Sequence, residues 1–171
     1  MSCKLVSGGL SVVLAAAVLA TACGLAAAQA PKLPGIEGTY KFVSRDLPDG
    51  TKQSPPQVAG LLTFAKGYRN FNICWAGKDG KKFSISYVAS YKLTDKEYGE
   101  KSIYMMVNDE IGGKGITYDM SGPSGAAPVS IKDGRIEIKL PLYDEPKVVF
   151  AGKTLTATKE GQFVDHWERI D

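Results

Sequence analysis

The chain has few of the residues that build metal sites and disulfide frameworks. Its 171 residues include one histidine and three cysteines. A zinc site takes several histidine or cysteine ligands, and a disulfide framework takes several cysteine pairs, so the sequence offers little for either. A net charge of +3 gives no electrostatic reason to expect a nucleic-acid partner. We therefore expect no metal, no other cofactor and no nucleic acid.

Long apolar runs are absent after residue 30, whereas the N-terminus contains one. Residues 10–22 are almost entirely apolar and follow the single charge of Lys4. About thirteen residues is the length of a signal-peptide core and is short for a membrane span. The small residues at 26–28 supply a cleavage site. We therefore expect a signal peptide over residues 1–28, a flexible lead-in over 29–37, and no transmembrane span in the mature chain.

A second processing route is open at Cys23. The preceding residues Ala20, Thr21 and Ala22 are similar to a lipoprotein box, although the leucine lies one place too early, at Leu19. Lipidation would make Cys23 the first residue and the anchor of the mature protein. The sequence predicts an exported protein by either route, periplasmic or extracellular when cleaved at residue 28 and membrane-anchored when lipidated at Cys23, with an uncleaved N-terminal anchor as a third alternative.

The mature chain alternates between apolar and polar residues with a period of two. In residues 83–93 the odd positions are all aromatic or aliphatic, and four of the five even positions are serine or lysine. This pattern is typical of a strand with one buried face. Further strands are predicted over residues 39–45, 60–65, 68–76, 102–109, 116–120, 129–132, 135–140, 147–150, 154–159 and 162–170. The stretches 46–59, 110–115 and 121–127 are predicted as loops.

Short turns connect most of these strands. Asp133 and Gly134 form the dipeptide favoured in two-residue hairpins, and Lys66 with Gly67 is predicted to form another. Parallel strands need long crossover connections, which the sequence lacks. The fold class is therefore all-β: an antiparallel up-and-down β-barrel of about 8–10 strands, over residues 38–171. Closure also removes the exposed edges of the sheet.

Three short motifs, read together, resemble the bacterial lipocalin-like domain family of calycin-type barrels. Gly38, Thr39 and Tyr40 open the domain, residues 60–64 with 67–68 form the next hairpin, and residues 167–170 (Trp-Glu-Arg-Ile) end it. The resemblance spans about residues 38–170. It implies a closed barrel with a central cavity.

The same resemblance implies how the barrel closes. In related barrels an aromatic residue on the first strand packs against an arginine on the last. These positions correspond to Tyr40 and Arg169 here, with Trp167 beside them on the last strand. A tyrosine stands where the family usually has tryptophan. These three residues are assigned a structural role in closure.

Aromatic and sulfur-containing residues recur at positions that alternation directs to the interior. A small eight-stranded barrel either fills with side chains or holds one small ligand, and both outcomes remain open. Buried tyrosine hydroxyls need partners, which a ligand can supply. The candidate ligand-binding residues are Phe71, Trp75, Tyr87, Tyr91, Met105 and Tyr118.

These observations favour binding over catalysis. His166 is predicted to point outward, Cys74 has no base near it in sequence, and we assign no catalytic residue. The leading interpretation is an exported barrel that binds a small, mostly apolar molecule. Two alternatives remain: a barrel enzyme of isomerase or hydrolase type using a cavity Asp165, Arg169 or tyrosine, and an envelope interaction or inhibitor protein that acts through loops 110–127.

Overall fold

A computed structural model describes residues 35–77 and 79–171. The expected signal peptide, Cys23 and most of the lead-in lie outside the described residues. Among those described there is no helix, and therefore none that could cross a membrane. The strands are β1 (Gly38–Asp46), β2 (Lys52–Gln53), β3 (Val58–Ala65), β4 (Tyr68–Ala76), β5 (Lys82–Leu93), β6 (Glu97–Asp109), β7 (Gly115–Asp119), β8 (Ser124–Lys132), β9 (Arg135–Lys139), β10 (Lys147–Ala151), β11 (Thr154–Lys159) and β12 (Phe163–Arg169).

Ten of these strands form a closed antiparallel barrel. Neighbours in the sheet are neighbours in the chain, and β12 pairs with β1 to complete the ring. The short strand β2 pairs with the end of β1, and β7 pairs with the end of β6. The predicted all-β, up-and-down barrel is confirmed.

Tight turns set the register of the hairpins. Lys66 and Gly67 have φ of 49° and 78°, and Asp133 and Gly134 have φ of 51° and 73°. Positive φ at both central residues is the type I′ geometry, whose twist matches that of the flanking strands. The predicted hairpins at these two places are confirmed.

The largest differences from the prediction concern β6, β8 and β2. β6 begins at Glu97 rather than at 102, and β8 begins at Ser124 rather than at 129. Glycines and charged residues at these starts hide the period of two. β2 lies within the stretch predicted as a loop, because its two residues are too few for any pattern.

The core lies inside the barrel and is rich in aromatic residues. Phe42 packs edge-on against Trp167 with ring centroids 5.2 Å apart, and Phe64 packs against Phe150 at 5.6 Å. Such edge-to-face pairs contribute beyond their buried area. The largest fully buried side chains include Tyr40, Tyr87 and Tyr98. This core fills part of the barrel and leaves a cavity in the remainder.

Candidate functional site

The cavity has a volume of about 190 Å³ and lies within the barrel. Its wall is mostly apolar and comes from strands on both sides of the β1–β12 closure. Alternation on β4 directs every second residue from Arg69 to Trp75 inward, and alternation on β12 does the same for Phe163, Asp165 and Trp167. The principal apolar lining residues are Leu62, Phe71, Ile73, Trp75, Leu155 and Trp167.

A buried ion pair lies in the cavity wall. Arg45 Nε donates to Asp165 Oδ1 at 2.6 Å, and Arg45 Nη2 donates to Asp165 Oδ2 at 2.8 Å. The two side chains are 8% and 5% exposed. The guanidinium carbon lies 4.3 Å from the ring centre of Phe163 and 5.0 Å from that of Trp75. Two aromatic faces and a bidentate carboxylate thus fix the plane of this guanidinium.

A β-bulge in β1 turns Arg45 inward. In the register with β12, Phe42 pairs with Trp167, but the next pair is Ser44 with His166, so Val43 is an extra residue. Before the bulge the even positions of β1 face the core, and after it Arg45 does. One inserted residue reverses the facing of all that follow it in a strand.

A second buried cluster is centred on Arg69. Its Nη1 donates to Glu100 at 3.0 Å and to Glu145 at 2.9 Å, and its Nη2 donates to Glu145 at 2.5 Å. The Arg69 and Glu100 side chains are 2% and 0% exposed. The Arg69 guanidinium carbon also lies 5.1 Å from the ring centre of Tyr87. One guanidinium therefore faces two carboxylates.

Burial perturbs the carboxylates of both clusters. Burial raises the pKa of Glu100 above its ordinary value, with Arg69 opposing the effect. Burial also raises the pKa of Asp165, opposed by Arg45. Glu100 Oε2 and the hydroxyls of Tyr87 and Tyr98 are buried with no hydrogen-bond partner among the described residues. The charge of Glu100 is therefore poorly compensated, because Glu145 takes two of the three hydrogen bonds that Arg69 makes.

The segment 140–146, which connects β9 to β10, covers part of the cavity. Five of its residues, including Tyr143, Asp144 and Glu145, contribute to the lining. Glu145 reaches inward to Arg69, while Asp144 pairs with Lys159 on β11. The Tyr143 hydroxyl lies 2.8 Å from Asp119 Oδ2. Tyr143 and Asp144 both have positive φ, near 50°, a conformation that side chains rarely adopt and that these contacts stabilise.

The predicted ligand-binding residues are distributed over several places. Phe71 and Trp75 line the cavity. Tyr87 and Met105 line an adjoining cavity of about 220 Å³, which shares Phe71 and three other residues with the first.

The other two predicted residues lie elsewhere. Tyr91 stacks on Tyr98, with ring centroids 5.8 Å apart, and lines neither cavity. Tyr118 is 67% exposed on β7, where Ile116 is also exposed, and Met120 is exposed just after the strand. Its position on the outer surface separates it from the rest of the set.

The predicted closure residues lie on the two strands that close the barrel. Tyr40 lies directly opposite Arg169 in the β1–β12 register. The Tyr40 ring packs edge-on against Phe150, and Arg169 Nε donates to Asp171 at 3.0 Å. Arg169 also lies over the backbone of Gly38, where a Cβ would come within 2.4 Å of Nε. A side chain at position 38 would therefore force the Arg169 side chain to move.

Sequence reasoning named Asp165 as a possible cavity residue but missed Arg45, Arg69 and Glu145. Arg69 shares the alternation of Phe71, Ile73 and Trp75, so that pattern was sufficient to place it inside. The bulge at Val43 conceals Arg45, because simple alternation directs it outward. Glu145 lies in a loop, where no periodicity applies.

No protein-family model, curated protein or solved structure matches this chain. Within residues 35–77 and 79–171, no group of three or more histidine, cysteine, aspartate or glutamate side chains is arranged to hold a metal ion. Cys74 is an exposed free thiol on the outer face of β4. The arguments about function therefore rest on the cavity and its charges.

Proposed function

We propose that this protein is an exported, lipocalin-like barrel that binds one small, mostly apolar molecule in its cavity and performs no chemistry on it. The observation that carries the proposal is an apolar cavity of about 190 Å³ within the closed barrel. Ligand pockets are typically concave and apolar, with a few placed polar groups.

The cavity is of a size that suits a ring-sized molecule. A cavity of roughly 150 Å³ lined by aliphatic and aromatic residues binds benzene in another protein. The cavity here is somewhat larger, so it accommodates a ring with a short substituent. The adjoining cavity, lined by Tyr87 and Met105, offers room for an extension of the same molecule.

The ionic groups of the wall favour binding over catalysis. Arg45 is paired with Asp165, and Arg69 with Glu145 and Glu100. A general acid or base must be free to exchange a proton with a substrate, whereas these carboxylates are held by guanidinium groups.

Export is supported by the N-terminal sequence, and lipidation at Cys23 is the alternative route to the same compartment.

The proposal is tested by filling the cavity. Ala157 is buried and lines it, so Ala157→Leu places three additional carbon atoms in the space. We expect this variant to lose binding of ethylbenzene, measured by protein-observed NMR titration. Ala65→Leu, at an exposed position of β3, is the matched control and should bind as the wild type does. Equal binding by both variants would place the ligand outside the cavity.

The natural ligand and the mature N-terminus can be read in one measurement. Native mass spectrometry of the protein purified from the cells that produce it should show a bound small molecule and a chain that begins at residue 29. A chain that begins at a lipidated Cys23 would support the anchored form instead. A chain of full mass, with no bound molecule under gentle conditions, would contradict both export processing and binding.

A second candidate function is supported by one observation on the outer surface. Ile116, Tyr118 and Met120 are 58%, 67% and 73% exposed and lie together on and just after β7. Apolar side chains that cluster on a surface are typical of interaction sites. If an envelope protein docks on this strand, Tyr118→Lys should abolish its cross-linking to the barrel. Tyr68→Lys, which replaces an exposed tyrosine on β4, should leave that cross-linking unchanged.

A further inference from the structure

Arg45 is a charged group of the cavity wall that retains unused hydrogen-bond donors, as Arg69 does at its Nε. A guanidinium has five N–H groups in a planar fork. Asp165 occupies the side-on pair formed by Nε and Nη2, and no other hydrogen bond joins Arg45 to the described residues. Both N–H groups of Nη1 and the second of Nη2 are therefore unpaired. The end of the fork, between Nη1 and Nη2, is open to an acceptor.

This donor pair belongs to a built site. The Arg45 side chain is 8% exposed and lines the cavity. The Arg45 guanidinium is held in place by the faces of Phe163 and Trp75 and by the carboxylate of Asp165. It therefore loses little conformational freedom when it binds an acceptor. Its Nη1 donors have no partner among the described residues, and a ligand oxygen would give them one.

The charge balance of the wall selects the kind of oxygen. Of the described residues, three cations (Arg45, Arg69, Lys159) and three anions (Asp144, Glu145, Asp165) line the cavity, so their charges cancel. Glu100 lies behind Arg69 as a further carboxylate. An ionised ligand would add an uncompensated charge to a poorly solvated space that already contains these groups.

From this arrangement we propose that the open end of the Arg45 fork binds a neutral oxygen acceptor, such as a ketone, ester or amide carbonyl, on an otherwise apolar ligand. The inference rests on the proposed ligand-binding function and specifies its ligand class. The carbonyl oxygen accepts from Nη1 and Nη2, and the apolar body of the ligand lies against Phe71 and Trp167. Specificity then comes from one charge-assisted hydrogen bond within an apolar enclosure.

The test compares three probes of nearly equal size at pH 7: acetophenone, a neutral ketone; ethylbenzene, a hydrocarbon; and benzoate, an anion. Their dissociation constants are measured by protein-observed NMR with the wild type and with Arg45→Met/Asp165→Leu. That double variant removes donor and counter-ion together, so no charge is left buried alone. The ratio of acetophenone to ethylbenzene affinity should fall about tenfold or more, the effect of a hydrogen bond to a charged group. Arg135→Met, at an exposed site on β9, should leave the ratio unchanged.

Each result decides a different point. If neither acetophenone nor ethylbenzene binds the wild type, the proposed function is wrong. If ethylbenzene binds but the ratio is the same in the double variant, the function stands and the role of Arg45 is wrong. If benzoate binds the wild type more tightly than acetophenone does, the ligand is anionic and the neutral class is wrong. The wild-type comparison needs no variant, so it decides the ligand class even if the double variant fails to fold.

Discussion

Replacing Glu100 by glutamine should stabilise the protein at neutral pH. The Glu100 side chain is fully buried, and its Oε2 has no hydrogen-bond partner among the described residues. Arg69, its counter-ion, already binds Glu145 in a bidentate manner. Glutamine keeps the shape and the acceptor toward Arg69, removes the excess negative charge, and provides an amide that can donate to a tyrosine hydroxyl. A buried acceptor without a partner costs about 1–3 kcal/mol, and we expect a gain of that order.

The pH dependence of this effect has a defined sign. Burial raises the folded-state pKa of Glu100 above its ordinary value of about 4.5. The contribution of this group to stability is therefore fully present below the unfolded-state pKa and is lost as the pH rises through the folded-state pKa. The advantage of Glu100→Gln should be largest at neutral pH and should shrink as the pH falls toward 4.5.

The assay is urea unfolding from pH 5 to pH 8, followed by the fluorescence of the two tryptophans, which both line the cavity. Taking the difference between variant and wild type cancels the titration of groups that do not interact with Glu100. Glu145→Gln is the matched comparison. Its side chain is 14% exposed and its loss breaks the bidentate pair, so it should destabilise by about 1.5–3 kcal/mol, the contribution of hydrogen bonds to charged groups. The reasoning is refuted if Glu100→Gln destabilises as much, or if its effect does not vary with pH.

Three further changes test the closure, the loop and the bulge. Gly38→Ala should destabilise the protein by about 1–3 kcal/mol, because the new Cβ would contact Arg169 and the backbone φ of 142° is strained for alanine. Gly80→Ala is the control, because nothing lies within 4 Å of its Cβ and only the strain of its positive φ applies. Thermal melts of the two variants give the comparison. Tyr143→Phe removes the two hydrogen bonds of the hydroxyl and should cost about 0.5–1.5 kcal/mol in urea unfolding, with no loss if those bonds do not form in solution. Deletion of Val43 removes the bulge but leaves Phe42 opposite Trp167 and Arg45 opposite Asp165, so Arg45 should still face inward and acetophenone should keep its advantage over ethylbenzene in the NMR titration; loss of that advantage would contradict the role given to Val43 as the extra residue.

The barrel could be predicted from the sequence because its determinants are local. Alternation along 83–93 follows directly from one face being buried, and Asp133 with Gly134 encodes its turn in two residues. Phe71 and Trp75 could be placed in the cavity for the same reason. These features depend on a few neighbouring residues, so they need no knowledge of what lies across the barrel.

The ionic part of the site depends on events that alternation does not encode. Val43 shifts the register only in relation to β12, a strand more than a hundred residues away in sequence. Glu145 reaches Arg69 from a loop, and its direction depends on the positive φ of the two residues before it. Tyr118 is an aromatic residue of the kind expected at an interior position, but it lies on β7, which is outside the ring of ten strands. In each case a long-range pairing determined the outcome.

The contact between Glu145 and Arg69 has a consequence for how fast the cavity exchanges its contents. The loop 140–146 is fastened by an ion pair whose arginine lies inside the barrel, where solvent does not reach it. A molecule that enters beneath this loop can contact the Arg69–Glu145 ion pair only after the loop has opened. It therefore cannot displace Glu145 from Arg69 from the outside. Exchange through this route is thus limited by a spontaneous opening of the protein, so its rate should level off as ligand concentration rises. For a ligand that enters by this route, we therefore expect the ion pair to control retention time more than affinity.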